Sequence, residues 1–259
     1  MLFVFCNMLT LLRKIRKSLI ESLPVGKVGG STQKYLLYAF GEIALVVIGI
    51  LIALQINNWN EWRKERYLEH KTLIAIAANI ETNVEFIKAN LERRDLIGLS
   101  SSQIIMDAID QKRPWHDSLA IHFDNAFRSR VPTLSFSAYE TLKTRGIDII
   151  RSDTLQNAIV DLYDSHYQDM QTVLTRIVHT ELKPSMTPFV TANFERKLSG
   201  RGLIPNDYES LINNQKIKNH ITYIQRYRMT AFKILQSQSL EQSEIVLELI
   251  KEELGDKDL

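Results

Sequence analysis

Glu42 is the residue whose chemistry is least expected at its position. It lies in an apolar run from Leu36 to Ile56 that is otherwise interrupted only by Gln55. An ionised carboxylate inside hydrocarbon is costly, so such a residue faces protein, pairs with a cation or takes up a proton. Two interpretations remain open. Glu42 either reaches the hydrated interface about 9 Å away or lies beside a contact between helices.

Small residues recur along the same run and would allow the contact of the second interpretation. Gly41, Leu45, Gly49 and Ala53 follow one another at spacings of four. A small residue on each of two successive turns lets two helices approach closely in lipid. Glu42 is rotated about 100° from Gly41, at the edge of this row. The candidate transmembrane interaction site is therefore Gly41, Glu42, Leu45, Gly49 and Ala53.

Catalytic and metal-binding patterns are missing from the rest of the chain. It contains no H-E-x-x-H, E-x-x-H, G-x-S-x-G or G-x-G-x-x-G motif. The set nearest to a metal site is Asp161, Asp164 and His166, but we expect His166 to lie off the face that the two aspartates share. We expect a solvated helix face there, and no catalytic residue, cofactor or metal site.

Two further groups have a structural interpretation that we prefer to a functional one. Lys143, Arg145 and Arg151 surround the turn at Gly146 and could bind an anion, although a solvated loop is the stronger expectation. Four tyrosines at helical spacing are expected in the core or at its edge rather than in a ligand cage; they are Tyr163, Tyr167, Tyr223 and Tyr227.

The charge distribution argues against nucleic acid as a partner. The formal net charge of +2 is the sum of +4 over the first 56 residues and −2 over residues 57–259, which hold 26 cations against 28 anions. A slightly acidic domain is expected to lack the basic face that nucleic acid requires. Cys6 is the only cysteine, which excludes an intramolecular disulfide and a cysteine-based zinc site.

The apolar run has the length and the borders of a transmembrane helix. About 21 residues at ~1.5 Å each cross a hydrocarbon layer of ~30 Å. Tyr35 and Tyr38 precede it and Trp59 and Trp62 follow it, as in the aromatic belts of membrane interfaces. We assign residues 35–56 to this helix, with membrane lipid as its partner.

The preceding residues 1–34 read as a basic amphipathic tail and a hinge. From Met8 to Leu23, apolar residues occupy one helix face, and Arg13, Lys14, Arg16 and Lys17 occupy the other. These cations either lie against anionic headgroups or only set the topology, and the two roles are compatible. Their density predicts a cytoplasmic N-terminus, an uncleaved signal-anchor and an extracytoplasmic domain over residues 57–259.

The fold class predicted for that domain is all-α, with the transmembrane helix continuing into an elongated antiparallel helical bundle. Apolar residues recur at spacings of three and four in three long segments. The first should continue to Lys112–Pro114 with a possible bend at Gly98–Ser102, and its apolar face is Leu73, Ala77, Ile80, Val84, Ile87 and Leu91. No stretch alternates for long enough to predict a strand.

Capping signals set the other helix ends. We expect a short helix at Asp117–Phe127, a capping box at Ser137–Glu140 and a stop at Gly146. Ser152 should cap a second long helix that ends near Leu182, before Pro184. A second capping box, at Asn206 and Glu209, opens the last region. Its long helix, Lys216–Leu254, has Met229 and Ile245 among its apolar set.

The membrane segment also carries a resemblance to a known family. The stretch YAFGEIALVVIGILIALQINNWNEW resembles the signature of uncharacterised single-pass membrane proteins of Bacteroidota and flavobacteria. Such proteins open with a short basic helix, here MLTLLRKIRKSLI, and continue past the membrane as a helical domain. The later stretch SAYETLKTRGIDIIRSDTLQNAIVDLY is also similar to theirs. The resemblance implies a bacterial inner membrane but no activity, ligand or catalytic residue.

Two departures from that pattern lie near the N-terminus. Seven residues precede Met8, so that translation starting at Met8 is an alternative to Met1, and LPVGKVGGSTQ is inserted before the membrane helix. The function expected from all these features is a membrane-anchored scaffold or interaction protein of the cell envelope. Its expected partner is either a second copy of the same chain, in a homo-oligomer, or another envelope protein. The alternative is an extracytoplasmic ligand-sensing domain that signals through a separate partner.

Overall fold

The computed structural model describes Lys14, residues 31–196 and residues 201–255, with the side chains of residues 31–38 left aside. The described chain is almost entirely helical, as predicted. Its α-helices are α1 (Ser31–Asn90), α2 (Ile97–Asp110), α3 (Leu119–Phe127), α4 (Ser137–Arg145), α5 (Asp153–Val160), α6 (Gln168–Arg176), α7 (Lys183–Asn193), α8 (Tyr208–Ile212), α9 (Gln215–Tyr227) and α10 (Lys233–Leu254).

The chain divides into two compact units, Met1–Arg66 and Tyr67–Leu259. Helix α1 is 60 residues long and begins in the first unit. It is long and apolar enough to cross a membrane, and none of its most apolar 18-residue window is buried. The long apolar helix that leads into a helical region is thus confirmed. The basic tail and hinge were predicted for residues 1–34. Residues 1–30 lie outside the described residues, apart from Lys14, which is exposed, and residues 31–34 already belong to α1.

Three long helical runs form most of the second unit: residues 67–110, 153–193 and 215–254. Short π-helical turns join the segments within each run. The π turns are Leu91–Leu96, Asp161–Tyr167, Ile177–Leu182 and Arg228–Phe232. The first replaces the bend that we expected at Gly98–Ser102, where the backbone is regular α-helix. A π turn widens the helix by one residue and so changes which side chains face the core after it.

The end signals of the helices were partly misread. Ser152 caps α5 as predicted, accepting a hydrogen bond from the Leu155 amide at 3.3 Å, and Gly146 ends α4 with a φ of +106°. Ser137 is instead the first residue of α4, and no side chain caps that helix. Asp207 rather than Asn206 caps α8, because its carboxylate lies 3.0 Å from the Ser210 amide.

The second helical run continues past Pro184, where we predicted its end. Pro184 lies at the start of α7, directly after the π turn Ile177–Leu182, and α7 continues to Asn193. Proline is tolerated in a first turn because its missing amide hydrogen is not needed there. The prediction of no strand was also wrong, since β1 (Phe194–Arg196) and β2 (Leu203–Pro205) pair antiparallel.

The core of the second unit consists of two apolar clusters. The larger contains Leu73, Ile80 and Ile87 of α1 together with Leu162 and Phe232, which confirms the packing surface read from the sequence. Val84 of the same face is only partly buried against it. The smaller cluster joins α2, α3 and α9 with the strand pair through Ile105, Phe123, Phe194, Leu203, Ile217 and Ile221.

Candidate functional site

The predicted transmembrane interaction residues all lie on the exposed surface of α1. Gly41, Glu42 and Ala53 are exposed, and Leu45 and Gly49 are half-buried. Of the described residues, none would lie within 4 Å of a Cβ added at Gly41 or Gly49. The row of small residues is therefore open to an approaching helix, and Glu42 lies at its edge as expected.

Of the two predicted aromatic belts, the structure describes the side chains of the one that follows the apolar run, Trp59 and Trp62. Trp59 and Trp62 are 60% and 50% exposed, and the Arg63 guanidinium lies 5.4 Å from the Trp59 ring centroid. Tyr35 and Tyr38 belong to α1, and their side chains lie outside the described set, as do Arg13, Arg16 and Lys17 of the tail.

The structure corrects the geometry of the Asp161, Asp164 and His166 group. Because these residues form a π turn, residues five apart come together, and His166 Nε2 lies 3.4 Å from Asp161 Oδ2. Asp164 points elsewhere and accepts a hydrogen bond of 2.7 Å from the Tyr139 hydroxyl. Among the described residues, no group of three or more His, Cys, Asp or Glu side chains is placed to hold a metal ion.

Of the three cations near Gly146, the Lys143 side chain has a structural role. Lys143 forms a 2.8 Å ion pair with Glu140 and lies over the Tyr139 ring. The backbone amide of Arg151 donates to the buried Glu69 carboxylate at 2.8 Å.

The four tyrosines that we expected in the core or at its edge fall into two pairs. Tyr163 and Tyr167 are buried in the core, whereas Tyr223 and Tyr227 lie nearer the surface and donate to Glu181.

The last helical run presents a buried polar row that the sequence analysis missed. From Ile217 to Ile250 the buried face has spacings of three and four throughout, but its middle positions are polar: Arg228, Gln236, Ser239 and Ser243. Met229, predicted to be buried, is 64% exposed, and Ile245 is 43% exposed. Those two assignments were wrong because we followed hydrophobicity rather than helical spacing. The spacing of the buried face leads from Ile224 to Arg228 and from Ser243 to Val246.

Arg228 holds the end of α3 and the loop after it. Its side chain is 1% exposed, and its guanidinium donates to the backbone carbonyls of Asn125 at 3.1 Å, Ala126 at 2.9 Å and Arg128 at 2.5 Å. The last carbonyls of a helix have no partner within the helix, and a cation there is also favoured by the helix dipole. Burial lowers the pKa of Arg228 to about 10.

A second part of this network links three helical segments. Gln236 Nε2 donates to Asp95 Oδ2 at 2.7 Å, and Asn90 Nδ2 donates to Gln236 Oε1 at 2.9 Å. Asp95 is 2% exposed, and burial raises the pKa of its carboxyl to about 6, although the Gln236 hydrogen bond and the Arg228 charge act in the opposite direction. The network therefore fixes the π turn Leu91–Leu96 against α10.

A basic cleft of about 960 Å³ lies beside this network. It is formed by the two π turns Leu91–Leu96 and Ile177–Leu182, the segment 128–133 and Arg201. Asn90 forms part of its lining, which connects the cleft to Gln236. The charged and titratable side chains that line it are Arg93, Arg94, Arg128, Arg130, His179, Lys183 and Arg201.

The electrostatics of the basic cleft are one-sided. No Asp or Glu is among the described residues that line it. Arg128 is paired with the buried Asp124, which also lies 3.2 Å from Arg196. The pKa of Arg94 is lowered, first by burial and then by the positive charges of Arg130, Arg128 and Arg201. Such mutual repulsion is relieved when a negatively charged group enters.

The basic cleft contradicts our expectation that the acidic domain has no basic face. A net charge of −2 over residues 57–259 hid a local concentration of cations. The cleft's cations come from four stretches of the sequence, so that no single basic run announced them. Two signals were present, the Arg93–Arg94 pair and the Arg128-x-Arg130 pair, but nothing in the sequence showed that they meet.

Residues 42–101 match a family of unknown function (DUF6090). The match covers most of the apolar signature, the first part of the helical domain and the Arg93–Arg94 pair, but less than half of the chain. The later stretch that begins at Ser137 lies outside it. No curated protein and no solved structure matches the chain.

Proposed function

We propose that this protein is a single-pass membrane anchor of the bacterial cell envelope that presents a helical interaction or scaffold domain. The observation that carries the proposal is the apolar window of α1, none of whose residues is buried, in a chain whose second unit has its own core. Exposed apolar surface of this extent needs lipid or protein to cover it. The match to an uncharacterised family is compatible with this function and names no activity.

The proposed location is the inner membrane, with the N-terminus in the cytoplasm and residues 57–259 in the periplasm. The cation-rich tail supports this orientation. A reporter that is active only in the periplasm, fused after Leu259, should be active. Activity of a cytoplasmic reporter at the same site would reverse the orientation, and recovery of the full-length chain in the carbonate-soluble fraction would exclude the anchor.

We also propose that the anchor self-associates through Gly41, Leu45, Gly49 and Ala53, with Glu42 at the edge of the contact. The open space around Gly41 and Gly49 supports this role. Glu42 would then share a proton with its symmetry mate or hydrogen-bond to the partner's backbone; a lone helix would leave it at the hydrated interface.

A second candidate function, ligand sensing through a separate partner, is favoured by the basic cleft. Neither candidate requires catalysis, and we propose that the protein works by binding. Purification of the full chain from membranes in mild detergent separates the two, because a scaffold should bring a defined protein in constant proportion. A ligand sensor should instead bring a small molecule detectable by mass spectrometry.

A further inference from the structure

We infer that the basic cleft binds a phosphate-bearing ligand with at least two negative charges, either a free compound or a lipid headgroup. This inference deepens the ligand-sensing candidate and does not depend on the scaffold function. It concerns a site defined by Arg93, Arg94, Arg130, Lys183 and Arg201, all of which line one cavity.

The first argument is the charge left uncompensated in the cleft. Among the described residues, Arg93, Arg94, Arg130 and Arg201 form no ion pair, whereas Arg128 is paired with Asp124. The buried Asp95 offsets part of the Arg94 charge, but no acid is among the described residues that line the cleft, and cations that repel one another give no folding stability. In a domain with more acids than bases, this arrangement is explained by an anion that the cations bind together.

The second argument is that the backbone segments that carry the cations are held in place by the structure beneath them. Arg228 fixes the carbonyls of Asn125, Ala126 and Arg128, and so positions the segment that presents Arg130. Gln236 holds Asn90 and Asp95, which lie on the two sides of the Arg93–Arg94 pair in the sequence. A site ordered before binding loses less entropy when its ligand arrives.

The third argument is the chemistry of the lining. Guanidinium groups present planar pairs of N–H donors that match two oxygens of a phosphate, and neutral donors are available from Asn125, Ser129, Thr133 and Thr175. The Ser129 hydroxyl is buried and has no hydrogen-bond partner among the described residues. The exposed Phe86 and Ile97 lie at the same cleft, where they can cover an uncharged part of the ligand. The cleft has a volume of about 960 Å³, which is typical of a site for a small molecule and larger than a single ion needs.

The test uses full-length protein in nanodiscs of phosphatidylcholine, titrated with inorganic pyrophosphate at constant ionic strength. Wild-type protein should bind pyrophosphate at least about tenfold more tightly than inorganic phosphate. The double variant Arg94→Gln and Arg130→Gln should weaken pyrophosphate binding by at least about tenfold. The matched control is Arg113→Gln with Arg226→Gln, two exposed arginines outside the cleft, and should change binding by less than about twofold.

A fold check separates binding from structure. Because Arg94 and Arg130 repel one another, removing their charges should leave the melting temperature unchanged or raise it. A lower melting temperature together with lost binding would mark the two arginines as structural and overturn the inference. The inference also fails if pyrophosphate does not bind, if the control variant loses binding equally, or if a single-stranded oligonucleotide binds more tightly than pyrophosphate.

A second arm identifies the source of the phosphate. The same titration in nanodiscs containing cardiolipin supplies a lipid with two phosphates and two negative charges at the membrane surface. If this lipid abolishes pyrophosphate binding to wild-type protein, the site takes a lipid headgroup. If binding is unchanged, the ligand is a free phosphate compound, and the proposed scaffold function is unaffected by either result.

Discussion

The guanidinium of Arg228 lies directly against the backbone of Gly98. A Cβ added at Gly98 would come within 2.5 Å of Arg228 Cζ and 2.8 Å of both Nε and Nη1. Gly98 therefore provides the space in which the buried arginine reaches the carbonyls at the end of α3. This contact connects the first helical run to the last, and it supports the loop that carries the cleft's cations.

Replacing Gly98 with alanine should destabilise the protein by about 2–4 kcal/mol, because Arg228 must give up part of its buried hydrogen bonding. Helix propensity alone predicts the opposite sign, a gain of about 1 kcal/mol. Urea unfolding of the full chain in detergent measures the difference. The exposed Ser100→Ala, two residues away, is the control and should change little. A more stable Gly98→Ala protein would show that Arg228 can move away at no cost.

Asp95 should make stability depend on pH. Its pKa is raised from 3.8 to about 6, so the folded state binds the proton more tightly than the unfolded chain. The contribution of Asp95 to the free energy of unfolding is therefore greatest below about pH 4 and is lost as the pH rises through 6. The neighbouring Arg228 and Arg94 stay charged throughout this window.

The comparison with Asp95→Asn isolates this contribution, since asparagine does not titrate and its oxygen can still accept from Gln236. The difference in unfolding free energy, wild type minus variant, should decrease by roughly 2–3 kcal/mol between pH 4 and 7. Parallel pH curves for the two proteins would mean that the carboxyl of Asp95 has an ordinary pKa.

Ile80 should be among the more costly positions to truncate. It is fully buried where α1 meets the segments that carry Leu162 and Phe232. Ile80→Ala should cost about 2–5 kcal/mol, measured by chemical unfolding. Ile74→Ala on the same helix, at a site 38% exposed, is the matched control and should cost less than about 1 kcal/mol. Equal effects at the two positions would contradict the assigned packing face.

Gly49→Ile should weaken association of the membrane helix. In lipid the attraction between helices comes from close packing, and the larger side chain would keep the backbones apart. Val47→Ile adds bulk on an exposed part of the same helix, outside the row of small residues, and should have no effect. A membrane-association reporter that carries residues 31–62 measures both. Equal signals from wild type and Gly49→Ile would leave Glu42 as an interfacial residue without a partner.

Local sequence patterns determined the helices and much of the core. The spacing of Leu73, Ile80 and Ile87 identified the buried face of α1, because a helical period depends only on residues within a few turns. The apolar length of the membrane segment and the stop at Gly146 were readable for the same reason. Cap positions such as Asp207 were missed by one residue, since neighbouring polar side chains compete for the same amides.

Only the tertiary structure decided where charge is buried and where it is gathered. Arg228 occupies a core position because distant carbonyls of Asn125, Ala126 and Arg128 satisfy it, and those partners are about 100 residues away along the chain. The basic cleft likewise joins cations from four separate stretches, whose meeting depends on how the helical runs pack and on the π turns between them. Electrostatic interactions act through space, so the order of residues along the chain could not reveal either arrangement.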